Sequence, residues 1–273
     1  MFLKSFDGIN VFYKIKRGAK KEVLIFVHGC ASNWTAWKKE ADFFQNKNYS
    51  TVLMDLRGHG KSGKPEKKEQ YALECFAKDI DEIVKKEKIK SFALVGHSMG
   101  GMISLMYYKM FSKKVDALIL CDTTCKNFLI HTKIKKFCPF IKSALDFLAL
   151  QSKINKEKKL KPFDMTKYTN RSDYAVVYRE LVNTPSKSVF SCLESMLNYD
   201  MKPFLGKIKI PTLIIEGSKD KILPAVNSFE MYKGIKNSEL HFIVEGQHFV
   251  NLAYPKVIDM HILNFLEKHG LKR

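Results

Sequence analysis

The pentapeptide Gly96-His97-Ser98-Met99-Gly100 stands between a continuously apolar stretch, residues 92–95 (FALV), and a helix predicted through about residue 111. A chain that leaves a buried strand and enters a helix across so few residues must turn sharply. A serine at the apex takes a strained backbone conformation, and the flanking glycines make room for neighbouring chain. Its hydroxyl then projects above the sheet at a helix N-terminus, where developing negative charge is favoured. The pentapeptide alone recurs by chance, so an ordinary turn serine is the competing reading. The strand-turn-helix context weighs against it.

Similar apolar runs recur along the chain. Residues 9–15 (INVFYKI), 23–27 (VLIFV), 51–56 (TVLMDL), 115–121 (VDALILC), 211–216 (PTLIIE) and 240–244 (LHFIV) read as strands. Helices are predicted over 34–44, 71–88, 224–233 and 250–268. In the second of these, apolar residues at 73, 76, 77, 80, 83 and 84 share one face. Regular alternation of this kind demands right-handed crossovers and a mostly parallel sheet with helices on both faces. The alternation stops between about 123 and 205, where the patterns are helical. Phe137, Phe140, Ile141, Ala144, Leu145 and Leu148 share one helix face, and Tyr174, Val177, Tyr178 and Leu181 another. The expected organisation is therefore a core of 1–122 and 206–273, with a helical cap, 123–205, over the carboxyl edge of the sheet.

A serine nucleophile needs a base, and this architecture places it after the last strand and after the acid. Of eight histidines, His248 fits, following the predicted strand 240–244 and just preceding a helix. His28 and His59 sit in loops at the same sheet edge and are expected to shape the site. His97 adjoins the serine in a poor position for a relay. Asp220 closes the loop after 211–216 and is the expected orienting acid. Asp122, which closes another strand at that edge, competes for the role, and Glu216 is a lesser candidate. Backbone N–H groups of Met99 and of Cys30, in the loop after His28-Gly29, are the expected oxyanion donors. His28, Gly29, His97, Phe128, Phe137 and Phe140 are the expected substrate-binding residues.

His28-Gly29, Asp55-Leu-Arg-Gly-His-Gly-Lys-Ser62, Gly96-His-Ser-Met-Gly-Gly101, Gly217-Ser-Lys-Asp220 and Gly246-Gln-His248 occur in the order seen in α/β-hydrolase fold proteins, and the chain resembles that family over roughly 1–122 and 206–270. The resemblance implies an eight-stranded sheet, a cap inserted after the sixth strand, and a Ser-His-Asp site without cofactor or metal. Serine at 98 sets the chain apart from the dehalogenase and epoxide-hydrolase branches, which place aspartate there. Among serine branches it resembles small carboxylesterases, including pimeloyl-acyl-carrier-protein methyl ester esterases, and the cofactor-free haloperoxidase and lactonase-like group.

The remaining features bound the partners. The formal charge is +19, yet only five of 47 basic residues are arginine. Phosphate- and base-reading sites favour arginine's planar fork, so a solvated basic surface is expected in preference to nucleic-acid binding. Between 126 and 161, ten lysines face two acids, and that surface could steer an acidic acyl carrier protein. Six scattered cysteines without CxxC spacing read as free thiols, mostly structural. No apolar run is long enough to span a membrane and the N-terminus lacks a secretory pattern, so a cytoplasmic location is expected. Carboxylic-ester hydrolysis of a small to medium acyl substrate is the leading expectation, with acyl transfer or ligand reception on the same fold as alternatives.

Overall fold

The computed structural model describes residues 1–153, 163–167 and 173–270. Eight strands form one sheet: β1 (Phe2–Lys4), β2 (Asn10–Lys16), β3 (Val23–Val27), β4 (Ser50–Met54), β5 (Phe92–His97), β6 (Val115–Cys121), β7 (Thr212–Gly217) and β8 (Ser238–Ile243). Their spatial order is β1-β2-β4-β3-β5-β6-β7-β8. β2 pairs antiparallel with both β1 and β4 at one edge, and every other neighbouring pair is parallel. β3, β5 and β6 are buried at every position, which is why they read as unbroken apolar runs rather than alternating ones. The helices are α1 (Lys38–Asn46), α2 (Leu73–Lys86), α3 (Met99–Phe111), α4 (Cys138–Gln151), α5 (Asp173–Val182), α6 (Ser186–Leu197), α7 (Val226–Gly234), α8 (Val250–Ala253) and α9 (Pro255–His269). Two apolar clusters sandwich the sheet. One joins it to α2 and α3 through Phe76, Ile80, Ile103 and Tyr107, the other to α1 and α9 through Phe44, Ile258 and Ile262.

Several boundaries differ from expectation for local reasons. β4 ends at Met54 because Asp55 turns its carboxylate onto the backbone N–H of Trp34 and of Lys61, both at 2.7 Å. The predicted helix 34–44 begins as a 3₁₀ turn, Trp34–Trp37, capped by Asn33, and becomes α-helical at Lys38. The predicted helix 250–268 is broken at Tyr254, because Pro255 has no N–H and starts a new helix as its first residue.

Helices α4, α5 and α6 lie in the chain between β6 and β7. They are tied to the core around residues 31–35. Thr184 Oγ1 donates to Ala31 O at 2.7 Å, Asn33 Nδ2 to Phe163 O at 2.8 Å, and Met165 N to Thr35 Oγ1 at 2.9 Å. Within the insertion, the buried Lys187 ammonium of α6 donates to Ala149 O and Ser152 O, closing the carbonyl end of α4. The lysine-rich stretch 153–161 and Tyr174, singled out in the sequence, lie almost wholly outside the residues or side chains described. Among the described residues, no helix is long and apolar enough to cross a membrane.

Candidate active site

β5 delivers Ser98 to the N-terminus of α3 with φ 53° and ψ −122°, a backbone conformation costing a β-carbon-bearing residue on the order of 1–3 kcal/mol. Surrounding bonds impose it. Ser98 N donates to Cys121 O at 3.0 Å, and Ser98 O accepts from Gly101 N and Thr123 Oγ1. The flanking glycines are a steric requirement: a Cβ at Gly100 would lie 2.2 Å from Val27 O, and one at Gly96 2.4 Å from Gly100 O.

The hydroxyl meets a histidine carried by the loop after β8. Ser98 Oγ lies 3.0 Å from His248 Nε2, and His248 Nδ1 lies 2.7 Å from Asp220 Oδ2. A carboxylate only accepts, so Nδ1 carries the proton and Nε2 presents its lone pair to the serine. Asp220 is in turn fixed by the N–H groups of Ile222 and Leu223, at 2.7 and 2.8 Å on Oδ1. The competing acids are occupied elsewhere. Asp122 accepts from Gly217 N and Val250 N, and Glu216 accepts from Ser228 Oγ. Burial pushes both carboxyls up, helped by the acid charges around them, Glu216 to about 9 and Asp122 well above the carboxylate range. Both are thus supports beneath the site, pushed towards their neutral forms.

His97 and His28 act on the frame. His97 Nε2 donates to the backbone O of His248 at 2.7 Å, holding the loop that carries it. Burial, with the His248 ring alongside, pushes His97 down to about 3, so the ring is neutral. Both nitrogens of His28 are bonded to backbone, Nδ1 to Gly29 O and Nε2 to Leu56 N. That ring stitches two loops together and lines no part of the cavity. Met99 opens α3, where first-turn N–H groups have no partner within the helix, and Cys30 faces the same cavity as Ser98.

That cavity has a volume of about 240 Å³. Gly29, Cys30, His97, Ser98 and His248 form its floor, Phe128, Val177, Leu181, Val189, Leu193 and Met196 much of its apolar wall. Phe137 and Phe140 correct the sequence expectation: they are 51% and 75% exposed and do not line the cavity. Helical spacing identified an apolar face but not the surface it meets. Glu180 of α5 does line the cavity, and sequence reasoning missed it, since a lone glutamate in a helix reads as a solvated residue. It is 5% exposed and its Oε1 makes no hydrogen bond. Burial pushes its carboxyl up to about 8.

Glu180 sets a pH dependence. The folded chain retains this proton between its ordinary value near 4.5 and about 8, while the unfolded chain releases it. Stability therefore falls as pH rises through that window. Glu180→Gln, which keeps size and removes the ionisation, should match wild type at pH 4.5. By pH 8–9 it should be more stable by on the order of a few kcal/mol. Melting temperatures of both proteins from pH 4.5 to 9 test this; parallel profiles would refute it.

Residues 22–253 match the family described as alpha/beta hydrolase fold. The chain is 26% identical to the "Uncharacterized hydrolase YugF" of Bacillus subtilis (strain 168), with 96% of each chain covered. It is 25% identical to epoxide hydrolase 4 of Mus musculus, covering 96% of this chain and 77% of that protein. Its fold is similar to that of an esterase (EaEST) from Exiguobacterium antarcticum, with TM-score 0.77 at 20% identity over 97% of this chain and 98% of the other.

Proposed function

Because the chain belongs to the α/β-hydrolase fold family, we propose that it hydrolyses carboxylic esters through an acyl-enzyme on Ser98. The observation that carries this reading is the Ser98–His248–Asp220 hydrogen-bond chain opening onto an apolar cavity. Ser98 Oγ attacks the ester carbonyl carbon while His248 Nε2 takes its proton, and Asp220 stabilises the resulting imidazolium. The N–H groups of Met99 and Cys30 receive the carbonyl oxygen as it becomes an oxyanion. Collapse expels the alcohol, protonated by His248. Water, deprotonated by the same ring, then frees the acid and restores the serine. The likeness to an epoxide hydrolase is set aside at position 98, where a hydroxyl in place of the carboxylate of that branch supports acyl rather than alkyl chemistry.

The cavity volume and its apolar wall suit a small to medium acyl group. Hydrolysis of p-nitrophenyl esters from acetate to decanoate, beside Ser98→Ala, tests this. Serine-dependent release with an optimum below decanoate is expected. Release no faster than that of the variant would refute the reading for free esters and leave a carrier-bound substrate or ligand reception on this fold.

A second reading rests on the outer surface of the insertion, where Lys133, Lys135, Lys136 and Lys142 are all exposed. An acidic carrier protein presenting an acyl ester would be drawn to such a face. Reversing these four lysines to glutamate should leave turnover of p-nitrophenyl esters unchanged. For a carrier-bound ester it should lower kcat/KM roughly tenfold or more, an effect that shrinks with added salt. Equal turnover of the carrier-bound ester would exclude the docking role.

A further inference from the structure

Three side chains from distant points of the chain converge beside the cavity. Cys30 follows β3, His59 belongs to the loop after β4, and Cys192 lies on α6. One ligating atom of each, the two sulfurs and a ring nitrogen, all fall within 4.8 Å of one another. All six cysteines of the chain are free thiols. His59 is fully buried. Its Nδ1 lies 2.9 Å from Arg57 O, and a carbonyl only accepts, so the proton sits on Nδ1 and Nε2 holds the lone pair. That buried Nε2 accepts no hydrogen bond of ordinary geometry. An unmet buried acceptor is costly, and an Nδ1–H fixed on a carbonyl is the usual support of a histidine that ligates metal through Nε2.

We propose that Cys30, His59 and Cys192 form a binding site for a thiophilic divalent cation, with Zn²⁺ as its natural occupant. Two sulfurs and an imidazole suit zinc in preference to magnesium or calcium. Bonds of about 2.0–2.3 Å at tetrahedral angles put ligand atoms roughly 3.3–3.8 Å apart, so the three groups need close by only about 1 Å. On binding, both thiols release their protons to solvent. The two thiolates then balance the charge of the ion, leaving a neutral centre that is tolerable in a buried position. Cys192 belongs to the insertion and the other two ligands to the core, so a bound ion clamps one to the other. Cys30 also lines the cavity beside Ser98, and the clamp is expected to close the hydrolase. That inhibitory consequence rests on the ester-hydrolase reading; binding does not.

Titrating the reduced protein with Co²⁺ under argon tests binding alone. One equivalent should produce tetrahedral visible bands and thiolate-to-cobalt charge transfer, both removed by Zn²⁺. Cys192→Ala and His59→Gln, checked for native circular dichroism, should lose this signal. Absence of charge transfer in the wild type, or an undiminished signal in Cys192→Ala, would overturn the site. In parallel, Zn²⁺ should inhibit wild-type ester hydrolysis reversibly with EDTA, and Cys192→Ala should need at least tenfold more. Equal sensitivity of the two would overturn the inhibitory role. A chain without esterase activity would remove that second readout and leave the cobalt titration decisive.

Discussion

Ser98→Ala is expected to lower kcat for ester hydrolysis roughly 10⁴- to 10⁶-fold with KM little changed. The hydroxyl oxygen, 3.0 Å from His248 Nε2, is the atom that forms the acyl bond. His248→Ala should cost about as much. The double variant should be scarcely worse than either single one, because the residues act as a unit. Asp220→Asn should lose about 10⁴-fold, since an amide favours the wrong tautomer of His248 across the 2.7 Å contact. Steady-state kinetics on one p-nitrophenyl ester decide the matter. Losses that simply multiply in the double variant would mean that the three side chains do not act in one proton path.

The largest stability effect is expected far from the serine. Arg57 is fully buried and donates from Nε and Nη2 to the two oxygens of the buried Asp79, at 2.7 and 2.6 Å. Its Nη1 reaches Asp7 Oδ2 at 2.7 Å and Gln70 O at 3.0 Å, and Ser5 Oγ donates to Asp79 at 2.5 Å. Asp79→Ala leaves a guanidinium in the interior with two of its five hydrogen bonds gone. The expected cost is about 3–5 kcal/mol, a fall in Tm on the order of 10 °C for a chain of this size. Replacing the arginine and aspartate together by apolar residues should recover much of that loss, because only the half-buried Asp7 then lacks its cation. Denaturant melts of the single and double variants separate a stranded charge from a lost contact. Equal costs would favour lost packing.

The sequence made the sheet legible because its central strands are buried on both faces, leaving unmistakable apolar runs at 23–27, 92–95 and 115–121. β1, three residues long, carries too little pattern to be seen. The order Ser98, Asp220, His248 was readable along the chain and favoured Asp220, but what occupies the competing Asp122 needed distances. Both acids end strands at one edge, and only backbone donors reveal which of them is already engaged. Glu180 and the Cys30–His59–Cys192 cluster were invisible for a different reason. Their character comes from burial and from neighbours dozens to more than a hundred residues away, which no local spacing encodes. Phe137 and Phe140 fail in the opposite sense, since periodicity finds an apolar stripe but not its partner.

The anchoring of the inserted helices on residues 31–35 bears on modular redesign. Ala31, held at φ 62° with its carbonyl gripped by Thr184, lies directly after Cys30 and its proposed oxyanion-binding N–H. A cap transplanted from a relative would therefore arrive without its own foundation unless this short loop travelled with it. Chimeras joined only at 123 and 205 should change turnover as well as substrate range. Chimeras that also exchange 30–35 should change substrate range alone. On that expectation the insertion and the loop behind it should transfer as one unit, although nearly ninety residues separate them along the chain.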